Sequence, residues 1–375
     1  MTKTIKSLIL GMLMSFTVSC QDKQQKMIVE NTVNSPRFQW QESLCSPLGY
    51  PMEIYKGGLE GNGSYASLES GTTDGEWASS GAGRSYGVKT LPNRINFIWV
   101  SYAEGCFYSI DSPIDYEKML QLFEEGYQDS GFFFNDEGEY KKCTYTTIVV
   151  GLAPGGVVVV WVKGGGRQVE IGRYQGEKYI VSEEEIAKLD NHDILKFQKE
   201  YQEKTMLNTQ IVPLEVREAN AGKPIPYNLW DSYRVWYSWK PIYSHKKEFE
   251  ITSLYIEMFN GENEEWFDKS LLENKFTKRS IPKSAHLTWT DWTVNSWSKD
   301  KGQGYGGEIV FDEKEIIKAF EEMYKEDKDG KSELQFTVNQ LNSFVTVQLR
   351  QGDKEIRLIK TKVKIVKSRN LSLKK

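Results

Sequence analysis

The sequence predicts an α+β chain made of two tandem divergent repeats, each an antiparallel sheet with one main helix, joined by a connector helix. Three observations predict it. Ile114–Tyr127 and Phe311–Tyr324 start 197 residues apart and share five identical positions, an Asp, a Phe, two Glu and a Tyr. Their flanks agree in order: Leu91-Pro92 to Trp99 matches Ile281-Pro282 to Trp289, and Phe38-Gln39-Trp40 echoes Tyr237-Ser238-Trp239. Within each half the apolar spacing passes from period two to helical and back, as a repeated supersecondary unit requires.

The elements follow in turn. Glu53 to Gly57 is matched with Glu257 to Gly261 near the start of each half. Ile95, Phe97 and Trp99 alternate along a strand. Asp115 caps a helix whose Met119, Leu120 and Phe123 share a face, and Asp312 does the same for Ile316, Ile317 and Phe320. Turn residues precede paired strands: Val149-Val150-Gly151 and Val157–Val162 are matched with Phe336-Thr337-Val338 and Phe344–Leu349. Val157–Val162 lacks a polar face and should be a central strand covered on both sides. Ser182 and Glu185 form a capping box that opens a charged connector helix running to about Thr205, with Asp190–Asp193 as the place where it could break. An extended stretch through Pro213, Pro224 and Pro226 follows it. Ile359–Ile365 is a strand with one lysine face, read as an edge protected by charge. The boundaries are a signal segment 1–19, a tether 20–36, a first repeat 37–181, a connector 182–228 and a second repeat 229–375.

The N-terminus carries an address. Lys3 and Lys6 precede an apolar run, Leu8–Val18, whose eleven residues are too few to span a bilayer as a helix. Thr17-Val18-Ser19-Cys20 resembles the lipobox of bacterial lipoproteins, which implies lipidation at Cys20, although Thr17 departs from the usual Leu. Gln21 in place of Asp implies the outer membrane. Cys45, Cys106 and Cys143 then allow at most one disulfide in an oxidising compartment, with the pairing open.

Tyr50-Pro51-Met52-Glu53, Leu91-Pro92, Trp99-x-Ser101-x-x-Glu104-x-x-Phe107-Tyr108 and above all Gly151-Leu152-Ala153-Pro154-Gly155-Gly156-Val157 resemble a family of Gram-negative lipoproteins catalogued as domain of unknown function 2931. The first half carries the likeness; Trp230 to Trp239 and Asn260-Gly261-Glu262 carry a looser copy. The family's Trp-Gly pair is absent, Trp77 being followed by Ala78. The resemblance implies an envelope address and this fold unit, and no activity.

The chemistry-bearing motifs thin out quickly. The formal charge of −4, or −6 without the two leader lysines, argues against nucleic acid. Gly81–Gly87 has the wrong spacing for a nucleotide loop, and Asp327–Gly330 lacks the outer ligands of a calcium loop. Glu124-Glu125 and Glu321-Glu322 lie on the polar sides of helices, and His192, His245 and His286 make no triad. No metal, cofactor or catalytic residue is nominated. Two features remain. Gly57–Gly87 holds nine glycines among 31 residues with Tyr65, Trp77 and Tyr86, and is read as about fifteen residues longer than its second-half counterpart. Trp289–Trp297 puts Trp292 and Trp297 beside Asp291 and Asn295, where exposed rings could meet a sugar or a protein. The expectation is a lipid-anchored, non-catalytic envelope protein that binds a protein partner, toxin neutralisation included. A glycan is the alternative ligand, and an enzyme with an unrecognised site the third reading.

Overall fold

A computed structural model describes residues 35–73, 75–81, 85–130, 142–190, 193–245, 247–267, 269–293, 301–368 and 372–373. Cys20, with the segment 1–19 read as a signal, and Trp297 lie outside the described residues. The chain is mixed α and β, mostly sheet with few helices. The first half supplies β1 (Arg37–Cys45), β2 (Met52–Gly61), β3 (Ser64–Ser67), β4 (Gly87–Thr90), β5 (Pro92–Ser101) and β6 (Cys106–Pro113). Then come α1 (Tyr116–Glu125), β7 (Thr147–Ala153), β8 (Val157–Lys163), β9 (Gln168–Gln175) and β10 (Glu177–Tyr179).

Between the halves lie α2 (Glu183–Ile186), a 3-10 turn (Asp193–Phe197), α3 (Lys199–Leu207), α4 (Leu214–Asn220) and α5 (Leu229–Ser232). The second half supplies β11 (Tyr237–Ser244), β12 (Phe249–Met258), β13 (Asn263–Phe267), β14 (Thr277–Arg279), β15 (Pro282–Asp291) and β16 (Lys301–Val310). It closes with α6 (Glu313–Met323), β17 (Ser332–Val338), β18 (Val345–Gln351), β19 (Lys354–Arg357) and β20 (Lys362–Lys367).

Each half holds two five-stranded sheets, not the single antiparallel sheet expected. In the first they run β4-β1-β7-β8-β9 and β10-β6-β5-β2-β3; in the second, β14-β11-β17-β18-β19 and β20-β16-β15-β12-β13. Each half also has one parallel pair, Gln41 opposite Thr147 and Trp239 opposite Ser332. A parallel neighbour needs a long crossover, and here the crossover includes four of the five strands of the second sheet and the helix. The two sheets of a half enclose its core: Trp40, Phe97, Trp99, Val150 and Val160 with Met119 and Phe123 of α1 in the first. Trp239, Leu254, Trp289, Phe336 and Val347 do so with Ile316 and Phe320 of α6 in the second. Asp115 accepts from Lys118 N at 3.1 Å and Asp312 from Glu315 N at 2.9 Å, so both helices start where their caps stand.

The register corrects three matches made along the sequence. Val149 faces away from the first core, against Trp161, while Phe336 faces into the second; Val150 is its counterpart by face. A one-residue slip moves a whole strand to the opposite side. Ile54 lies near the start of β2, opposite Trp99, whereas Met258 ends β12 opposite Pro282, so Glu53–Gly57 and Glu257–Gly261 occupy opposite strand ends. Finally, thirty residues separate β2 from β5 and twenty-three separate β12 from β15, a difference of seven where the sequence suggested about fifteen.

The connector is a series of short turns of helix, not one helix. Ser182 does accept from Glu185 N, but α2 stops at Ile186, and Pro213 caps α4 where an extended stretch was expected. Lys196, paired with Asp193 of its own turn at 2.6 Å, fastens the connector to the first half through Glu53 at 3.4 Å, and Phe197 stacks on Phe107. Cys45, Cys106 and Cys143 form no disulfide. β20, with Lys362, Lys364 and Lys367 exposed, ends the largest sheet.

That sheet crosses the molecule. The second half's β20-β16-β15-β12-β13 continues into the first half's β9-β8-β7-β1-β4 through one registered pair, Gln168 opposite Asn263. Ion pairs hold the seam. Glu264 lies between Arg167 and Arg279, each at 2.7 Å, and Arg234 grips Glu170 through two nitrogens. Burial alone would raise the Glu264 carboxyl, but the two guanidinium groups hold it below the ordinary carboxylate value. Its contribution is therefore complete above the unfolded-state pKa and is lost as pH falls through the lower folded-state value. Glu264→Gln should cost about 3 kcal/mol in urea unfolding at neutral pH, and the gap to wild type should close on acidification.

Candidate functional site

The seam opens into a cleft of about 420 Å³. Its floor is one row of registered residues across four adjacent strands: Lys163 on β8, Gln168 on β9, Asn263 on β13 and Glu257 on β12. Registered neighbours project to the same side of a sheet, so four polar side chains from both halves line up there. Lys163 shares its face with Val157, Val159 and Trp161 by alternation along β8.

Aromatic walls stand on this floor. Trp77 packs edge-on against Trp161 at 5.1 Å and tilts against Trp230 of α5 at 6.4 Å. Tyr233 stacks on Phe259 at 5.1 Å. The rim carries Lys283 paired with Glu76 at 3.1 Å and Glu313 accepting from the Tyr233 hydroxyl at 2.8 Å. Glu257 accepts from Ser284, and Glu262 from Asn260 and Trp236. Burial and Glu313 together push the Tyr233 phenol upward, and burial lowers the Lys163 ammonium against the opposing pull of Glu257 and Cys45. The buried Cys45 thiol behind it is pushed up to about 12, which keeps it an uncharged thiol.

Not every polar atom here is satisfied by the protein. Trp77 Nε1, Gln168 Oε1 and Asn263 Oδ1 are buried without a hydrogen-bond partner among the described residues, and all three belong to the cleft lining. Gln168 uses its amide nitrogen to hold Ala78 O and Gly261 O, which leaves the oxygen over. Such atoms are costly unless something pairs with them. By contrast, Glu42, Ser85 and Lys89, a buried polar cluster beside Trp40, hydrogen-bond one another.

The aromatic residues nominated from sequence divide. Trp77 walls the cleft. Tyr65 and Tyr86 are 55% and 57% exposed and lie outside it, on β3 and before β4. Trp292 is half-buried just beyond β15, donating to Glu250 at 3.1 Å. Lys163, Gln168, Asn263 and Glu257 were missed, because their row exists only once the sheets are registered. Asn260-Gly261-Glu262 was the nearest signal, noticed for its likeness alone.

A family model described as a protein of unknown function (DUF2931) matches residues 21–228. The chain belongs to that family. The matched region takes in the first half and the connector and ends one residue before α5. No curated protein matches the chain, and no solved structure matches it. Among the described residues, no helix is long and apolar enough to cross a membrane, and no cluster of three His, Cys, Asp or Glu is placed to hold a metal ion.

The wall depends on a close approach. Gly261 has φ +93°, and a Cβ there would lie 2.2 Å from Ala78 Cβ and 3.1 Å from Trp161. Ala78 itself is held at φ 62°, where a glycine would sit without strain. Gly261→Ala should therefore destabilise by about 2 kcal/mol. Adding Ala78→Gly should recover part of that loss, a coupling that a double-mutant cycle by thermal melting would read.

Proposed function

We propose that this is a lipid-anchored, non-catalytic envelope protein, built of two tandem copies of one sandwich unit, whose inter-copy cleft binds a saccharide. The observation that carries the ligand class is the convergence of three unpartnered buried polar atoms with aromatic faces on one cleft. Sugars present hydroxyls that both donate and accept, and apolar ring faces that lie on aromatic rings. The Trp77 indole can donate while the Gln168 and Asn263 oxygens accept, and Trp230, Tyr233 and Phe259 offer faces and edges. A cleft of this volume suits one or two sugar rings. The duplication rests on matching strand order, matching helix position and one parallel pair in each half.

A protein partner keeps one observation in its favour. A wider depression of about 760 Å³ beside α3 is lined by Tyr102, Phe107, Phe197, Met206 and Leu207, with Leu207 63% exposed. Its polar members are long chains such as Lys199 and Glu203, already paired with each other at 3.7 Å. It presents apolar surface without a buried polar atom in need of a ligand among the described residues, so the cleft is the better site.

The mature chain with Cys20→Ser should bind soluble peptidoglycan fragments or envelope oligosaccharides with a change in tryptophan fluorescence. Trp77→Ala and Trp230→Ala should each weaken binding about tenfold or more while circular dichroism stays unchanged. Failure of every saccharide, with one stoichiometric protein retained from solubilised envelope, would replace this reading by the protein partner. Labelled palmitate should enter the wild-type chain and not Cys20→Ser.

A further inference from the structure

The cleft's charges are unequal in how well they are matched. Four carboxylates line it, Glu76, Glu257, Glu262 and Glu313, and each pairs with a lysine or accepts from hydroxyl, amide or indole donors. Lys283 is taken by Glu76. Lys163 is different: its half-buried ammonium makes no hydrogen bond or ion pair with the described residues, although it feels the field of Glu257. It stands at one end of the floor row, next to Gln168, whose side-chain oxygen also lacks a partner among the described residues.

We propose that Lys163 makes this cleft selective for a saccharide carrying one carboxylate, the carboxylate resting on the Lys163 ammonium and the ring hydroxyls on Gln168, Asn263 and Trp77. The inference rests on the saccharide reading above and adds the sign and number of the ligand's charges. An ammonium without a partner gains most from a charged acceptor, because charge-assisted hydrogen bonds are about twice as strong as neutral ones. Two further features limit the ligand. The cleft lining has two more negative than positive groups, so each negative charge beyond the one that Lys163 pairs adds repulsion, which counts against a doubly charged phosphate. Lys163 is the one cation still open among the described lining residues, so a second carboxylate would find no partner.

The test uses matched pairs differing in one group, with the mature Cys20→Ser protein and calorimetry. N-acetylmuramic acid is set against N-acetylglucosamine, from which it differs by a lactyl carboxylate; glucuronate and glucose 6-phosphate are each set against glucose. The acid should bind about tenfold tighter than its neutral partner in at least one pair. Glucose 6-phosphate should gain nothing over glucose. Lys163→Met should bring acid and neutral sugar to equal affinity, and Lys163→Arg should keep the preference. Equal binding of acid and neutral sugars by wild type, or a preference that survives Lys163→Met, would overturn the role of Lys163 and leave the saccharide reading intact. Absence of binding by every sugar would remove both. Thermal melts of both variants separate lost recognition from lost folding.

Discussion

The seam between β9 and β13 is the constraint on which the rest of the molecule depends. One registered pair makes the sheet continuous, and it carries side chains that the surroundings must then accommodate. Gln168 spends its amide nitrogen on two backbone oxygens, Ala78 O and Gly261 O, which draws the Trp77 loop and the turn after β12 to the same place. Trp161 donates to Asn260 O at 3.2 Å from below, so the turn is held from both sides. Only glycine allows that approach at residue 261. The cleft is a by-product of this packing: two sheets meeting at a narrow joint cannot fill the space above it with their own side chains.

Electrostatics makes the joint durable without making it dry. Arg167, Glu264 and Arg279 form a three-membered group, in which each arginine offsets the cost of burying the carboxylate. Arg234 and Glu170 repeat the device nearby, where burial still raises the Glu170 carboxyl despite the guanidinium. These pairs use up the strong charges close to the seam. Among the described residues, what is left facing the cleft without a hydrogen-bond or ion-pair partner are two amide oxygens, an indole and one lysine, groups better suited to recognising a ligand than to bearing load.

How much of this could be read from the sequence follows from how local each cause is. Asp115 and Asp312 act three residues along the chain, so both caps and both buried helix faces were legible. Val157–Val162 reads as central because every residue in it is apolar, and it is buried on both faces. The lysines of β20 announce an edge, and an edge is where that strand lies. Register is another matter. Nothing in the pair Val149-Val150 distinguishes one valine from the other, and matching Val149 to Phe336 put the wrong face inward although both segments were correctly taken as strands. The connector failed for a different reason: its charged residues have helical propensity, but little of it is buried, and Gln198, Asn208 and Pro213 divide it into turns. The cleft floor draws on residues about a hundred positions apart that touch at a single register point, which leaves no periodicity to notice.

The proposed duplication has a consequence for how the two copies can be joined. A symmetric pair would bring the same edge of each copy together, and the contact would close on itself. Here the joint is unlike on its two sides: β9 ends the first sheet of the first copy, while β13 ends the second sheet of the second copy. Their counterparts, β19 and β3, therefore remain at sheet ends, and a head-to-tail joint of this kind could in principle be repeated. The chain counters that in each case by the usual means. β3 and β19 are four residues long, and Lys354-Glu355-Ile356-Arg357 carries three charges among its four side chains, which discourages another strand from adding. On that proposal, a cleft that arises only at a heterologous joint occurs once per molecule, although the unit that builds it would be present twice. Its chemistry is free to diverge from anything either copy would need alone.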